Sequence, residues 1–180
     1  MSLARFKRII DGLKQLPSVL EDVLQSSDTI KDIAKNLLPY KNFFFLGKHY
    51  HVPIAAEVSL KFKEITYLHS ESYPMGELKH GPLAMIDENI PSILFMPSDS
   101  LLEKNISSMH EIAARKWKIM AVANSDIVWP DRMITTPEII EELSPIISVV
   151  AGQLLSYYVA DMLERDIDKP RNLAKSVTVK

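Results

Sequence analysis

The chain has 180 residues, 47% of them hydrophobic and 24% charged, with a formal net charge of −2. These values suit one compact domain with a core large enough to stand without staples, and they exclude a broad basic field for nucleic acid or anionic lipid. Cysteine is absent, which removes disulfides, thiolate metal sites and a cysteine nucleophile and fits a reducing cytoplasm.

The N-terminus carries positive charge, but no apolar stretch follows it, so it does not read as a signal peptide. Nowhere does an apolar run approach the roughly 20 residues of a membrane helix. Phe6, Ile9, Ile10 and Leu13 fall on one helical stripe, and Leu16-Pro17-Ser18 predicts a break after it. Ser26-Ser27-Asp28 offers caps for a second helix whose stripe is Ile30, Ile33, Ala34, Leu37 and Leu38. Pro39-Tyr40-Lys41-Asn42 stops it. Phe43-Phe44-Phe45-Leu46 is a continuous apolar run ending at Gly47, the pattern of a strand buried on both faces.

Pro53 suits the first turn of a helix reaching about Leu68, with Ile54, Val58, Phe62 and Ile65 toward the core. A second strand is expected at Ile65–Ser70 or just after, followed by a Gly- and Pro-punctuated segment, Gly76 to Pro82. Pro91–Pro97 and Lys118–Ala123 read as further buried strands, with a helix Leu101–Lys116 between them capped from Ser98-Asp99-Ser100. Met133–Thr136 suits a short edge strand, and Ser144-Pro145 opens a long apolar helix to about Glu164. Uniformly apolar strands alternating with helices predict an α/β fold, a parallel sheet with helices on both faces. The tail from Asp166 to Lys180 has no amphipathic pattern and reads as an irregular arm.

Three features carry chemistry. Glu57, Lys61 and Glu64 share one helix face. On spacing alone they read first as a solvated stripe of ion pairs, and second as a carboxylate base beside an ammonium that keeps it ionised. His80, in Gly76-Glu77-Leu78-Lys79-His80-Gly81-Pro82, sits on a constrained turn and titrates near neutrality; it is either a structural histidine or a proton shuttle. Lys175 is either a solubilising charge or, if the arm folds back over an apolar site, an amine nucleophile. With only 5 glycines and no Gly-rich loop after a strand, the chain lacks a P-loop or dinucleotide fingerprint. Ser98-Asp99-Ser100 at a helix N-terminus is the best anion candidate, and Asp99 would repel a phosphate there. His49 and His51 are too few for a metal site.

FFFLGKHYHVPIAAE at Phe43–Glu57, EVSLKFKEITYLHSESYPMGELKHGPLAMID at Glu57–Asp87 and DIDKPRNLAKSVTV at Asp166–Val179 resemble the second sugar-isomerase (SIS) domain of the glutamine–fructose-6-phosphate aminotransferase family. The resemblance runs from about Leu13 onward. It implies a three-layer α/β/α sandwich, a helical segment at 1–41, an SIS domain at 42–165 and an arm at 166–180. It also implies a ketose-to-aldose isomerase acting on fructose 6-phosphate to give glucosamine 6-phosphate, in the cytoplasm, with no metal or organic cofactor.

By motif, Glu64 matches the base that moves a proton between C1 and C2, and Lys61 a lysine beside it. His80 matches the ring-opening histidine that the family supplies across a homodimer. Lys175 matches the Schiff-base lysine, Ala174 a substrate contact, and Arg171, Asn172 and Leu173 the ammonia route. The family's glutaminase domain and first SIS domain are not in this sequence, and the first SIS domain supplies most phosphate contacts there. The expectation is therefore an isomerase half-site, weakly active or inactive alone. The alternative is a module that binds a sugar phosphate without catalysis.

Overall fold

The computed structural model describes residues 2–114, 118–128 and 130–173. Five parallel strands form one sheet: β1 (Asn42–Gly47), β2 (His69–Pro74), β3 (Ser92–Phe95), β4 (Ile119–Ala123) and β5 (Arg132–Thr135). Their order is β2-β1-β3-β4-β5. The chain thus moves outward from β1 to β2, then returns past β1 to build the other half, the doubly wound arrangement.

The triple-phenylalanine run explains itself in β1. Alternate side chains leave opposite faces of a strand. Phe43 and Phe45 join the core under α1 (Leu3–Gln25), α2 (Ser27–Lys35), α3 (His51–Thr66) and α5 (Ser144–Met162). Phe44 and Leu46 join the core under α4 (Leu102–Ala113) and two 3-10 turns, Met75–His80 and Pro82–Met85. The same alternation divides Ile93 and Phe95 from Leu94 and Met96. The sheet is therefore the middle of three layers. Phe62 of α3 stacks at 4.7 Å from Phe43 and 5.3 Å from Phe45 and is fully buried, a contact of roughly 2–3 kcal/mol from burial alone.

Three expectations are corrected. The break at Pro17 does not occur, because α1 runs through it. Pro17 is exposed, and the carbonyl it displaces belongs to Leu13 on the solvent side, where water can take the lost bond. The stripe that begins α1 is only partly used, since Phe6 remains 48% exposed. The second strand starts later, at His69, since Ile65 and Thr66 complete the last turn of α3. Its residues are mostly polar because β2 is an edge strand, and only Ser70 is buried.

α3 and α5 run side by side in the same direction. His51 at the start of α3 hydrogen-bonds Ser148 near the start of α5 (3.0 Å). Midway, Gly152 lies so close to α3 that a Cβ there would fall 2.5 Å from Cγ2 of Val58. Both helices end on a left-handed residue that is not glycine, Tyr67 (φ 62°) and Glu164 (φ 54°). After α5 the Glu164 N–H bonds to the Asp161 carbonyl and the Arg165 N–H to that of Ala160, a Schellman closure. No helix among the described residues is long and apolar enough to cross a membrane.

Candidate active site

Lys61 and Glu64 lie one turn apart on α3, and the Lys61 Nζ donates to the Glu64 carboxylate at 2.8 Å. Both are half-buried. The hydrogen bond to Glu64 holds the Lys61 ammonium above its ordinary pKa, and Glu57 adds to this. The stripe seen in the sequence is therefore a real pair at the C-terminal end of α3.

The helix ends three residues later by a local device. Thr66 Oγ1 donates back to the Phe62 carbonyl (2.6 Å) and accepts the Leu68 N–H (3.1 Å), while the Tyr67 N–H bonds the Lys63 carbonyl (3.1 Å). The left-handed turn at Tyr67 leaves its ring half-buried beside the arm that follows α5. The Tyr67 hydroxyl accepts the Arg171 backbone N–H (2.9 Å). The Arg171 and Arg165 guanidiniums lie 4.3 and 5.3 Å from the ring centroid. Between arm and helix is an open cleft of about 430 Å³ whose walls include Glu64, Tyr67, Ser70, Arg171, Asn172 and Leu173. The arm thus returns to the helix bearing Lys61 and Glu64, as an active role for it requires. Ala174 and Lys175 lie outside the described residues.

His80 stands apart. It closes the first 3-10 turn before Gly81, whose φ of 152° suits glycine alone. Lys79 anchors the turn to Glu111 of α4 (3.0 Å). The His80 side chain is 76% exposed and 3.7 Å from Glu77. His80 is not among the residues that line the cleft between Glu64 and the arm.

The carboxyl edge of the sheet, where ligands of doubly wound folds sit, is occupied differently. Lys48, just after β1, donates to the Lys104 carbonyl and to Ser108 Oγ of α4, both at 3.1 Å. Burial lowers its pKa. Asp99 accepts the Leu101 N–H (2.8 Å), and Ser98 donates its N–H to Asn124 (2.6 Å). The first turn before α4 is thus spent on internal bonds, which weakens it as the anion site. No cluster of three or more metal-ligating groups occurs among the described residues.

Sequence reasoning missed Tyr67 and Arg165, and weighed His51 only as a metal ligand. Tyr67 and Arg171 are 104 residues apart, and no periodic signal links them. His51 is 1% exposed; burial pushes its imidazole down to about 4, while the Asp99 carboxylate pulls the other way.

Residues 36–162 match the SIS domain family. Over 175 residues the chain is 46% identical to a glutamine–fructose-6-phosphate aminotransferase (isomerizing) of Buchnera aphidicola, covering 96% of this chain and 29% of that protein. The Thermus thermophilus relative of the same name is 42% identical over 183 residues, 99% of this chain and 30% of that one. The chain therefore spans under a third of the length of these relatives. Among solved structures, the C-terminal domain of glucosamine-fructose-6-phosphate aminotransferase from Francisella tularensis superposes with a TM-score of 0.87 at 31% identity, covering 94% of this chain and 49% of that one.

Proposed function

The chain belongs to the SIS domain family, and from that premise we propose that it is the C-terminal isomerase half of a glutamine–fructose-6-phosphate aminotransferase. Its reaction is the ketose-to-aldose step that carries fructose 6-phosphate toward glucosamine 6-phosphate, in the cytoplasm. The observation that carries this reading is the cleft shared by Glu64 and the arm residues Arg171–Leu173.

The chemistry follows from the groups. Isomerisation removes a proton from C1 of the open-chain ketose and returns it at C2, so one carboxylate within reach of both carbons suffices. Glu64 is that base, and the Lys61 ammonium stabilises its charged form. Lys175 supplies the amine. Its Schiff base with the C2 carbonyl forms with loss of water; ammonia then displaces the lysine at C2, freeing its amine, and the C2 imine so formed takes up the electrons of the broken C1–H bond. His80 opens the sugar ring from a second copy of the chain, which accords with its exposure. Phosphate grip comes from the part of the relatives' length that this chain does not span, which accords with the spent bonds around Ser98–Leu101.

The test is turnover of fructose 6-phosphate with ammonia, measured on this chain alone and with the remaining portion supplied. Little turnover alone and recovery on addition are expected. Full turnover by the isolated chain overturns the half-site reading. Sugar-phosphate binding that survives Glu64→Gln and Lys175→Met, with no turnover even in the complete assembly, makes the chain a binding module instead.

A further inference from the structure

We propose that Tyr67 is the positioning residue of the C-terminal arm. Its ring and hydroxyl form a fixed post on which the arm turns toward the Glu64 cleft. This deepens the isomerase reading and rests on it for what the arm is for, while the anchoring itself is a matter of geometry.

Three independent contacts converge on this side chain. Two are cationic groups over the ring, Arg171 at 4.3 Å and Arg165 at 5.3 Å. The third is the Arg171 N–H donated to the hydroxyl at 2.9 Å. The two arginines bracket the first part of the arm, so the chain from Arg165 to Arg171 is closed into a loop pinned on one aromatic side chain. Within that loop the Asp166 carboxylate accepts the Lys169 N–H (2.9 Å), a turn that shortens the return path. Beyond the post, Asn172 is left-handed (φ 62°), and the Leu173 N–H bonds the Pro170 carbonyl (3.4 Å).

The backbone state of Tyr67 is part of the device. A left-handed conformation is costly for a tyrosine, and glycine would take this helix-ending position more easily. A ring kept there against that cost is explained by what the ring holds. Charge adds to it. α3 ends at Thr66, one residue before Tyr67, and α5 at Met162, three before Arg165, so the cationic groups on the ring gather near two helix C-termini. Leu173, beyond the post, lines one cleft with Glu64. The post therefore sets the tether from which the proposed nucleophile works.

Amide hydrogen exchange at Arg171 and Leu173, read by NMR on this chain without substrate, tests the proposal. Tyr67→Leu removes ring and hydroxyl, and exchange at both amides should rise about tenfold or more. Tyr67→Phe should speed Arg171 alone, because the ring contacts remain. Tyr67→Gly relieves the left-handed strain, so its unfolding midpoint should stay within about 4 °C of the parent while the arm amides still speed up. Exchange within twofold of the parent in Tyr67→Leu overturns the anchor. So does a rise that accompanies faster exchange throughout the core. Because no turnover is measured, failure of the complete assembly to turn over fructose 6-phosphate counts against the isomerase reading and leaves this result standing.

Discussion

Lys61 and Glu64 are joined at 2.8 Å across one turn of α3, on the same turn from which the helix unwinds into Tyr67. An ion pair with side chains 40% and 28% exposed contributes little to stability, about 0.5 kcal/mol. The place of Glu64 on the cleft wall gives the pair a different value. Glu64→Gln should lower C1–C2 proton transfer in the complete enzyme by about 10²- to 10⁴-fold and shift the unfolding midpoint by no more than about 2 °C. Solvent-deuterium incorporation into the sugar and a thermal melt read the two quantities. Parent-like incorporation would remove Glu64 as the base.

His80 and Glu64 are expected to serve one site from two copies of the chain. His80→Asn and Glu64→Gln proteins, each inactive alone, should regain roughly a quarter of parental activity when their subunits are mixed and exchanged, because half of random dimers carry one intact site of two. The mixture is assayed for isomerisation after subunit exchange. A mixture that stays inactive despite verified exchange means that both groups act in one chain.

Gly152 is a point of close approach between α3 and α5. Gly152→Ala should destabilise the domain by about 1–3 kcal/mol through overpacking against Val58. Val58→Ala, costly alone, should lose part of its cost in the double variant because it clears the space. Urea unfolding of the four proteins in a double-mutant cycle should give a coupling energy of about 0.5 kcal/mol or more. Strict additivity would mean that the two helices part freely.

Acid should weaken the fold through His51. The imidazole lies at about 4 in the folded chain against an ordinary 6.5, so between these values the unfolded chain binds the extra proton. The stability owed to the neutral ring is complete above pH 6.5 and is lost as pH falls toward 4. The loss approaches about 3 kcal/mol. Denaturant midpoints at pH 7, 5.5 and 4 should fall in that order. In His51→Gln, which keeps a partner for Ser148, the fall should be shallower by the same amount. Equal slopes in both proteins would place the acid sensitivity elsewhere.

What the sequence reveals follows the range of the interactions. Phe43–Leu46 announces a doubly covered strand because every residue there is apolar and both faces need filling. Lys61 and Glu64 announce a pair because helical spacing is local. β2 hides because an edge strand can be held by backbone bonds to β1, from Asn42 opposite His69 to Gly47 opposite Pro74, with a polar sequence such as HSESYP. Pro17 misleads because a proline on the solvent side of a helix sacrifices a bond that water replaces. The Tyr67 post is invisible for two reasons. Its partners come from the far end of the chain, and a left-handed tyrosine has no sequence signature.

The common direction of α3 and α5 has a metric consequence. Contacts at the start, middle and just past the end of the pair, His51 with Ser148, Val58 with Gly152 and Tyr67 with Arg165, make α5 a ruler laid along α3, with the arm issuing from its last graduation. Each residue removed from α5 between Gly152 and Met162 would withdraw that origin by about 1.5 Å and swing it by about a quarter turn. A chain shortened there by two residues would turn the core face that Leu155 and Val159 present and deliver its arm to the wrong side of Tyr67.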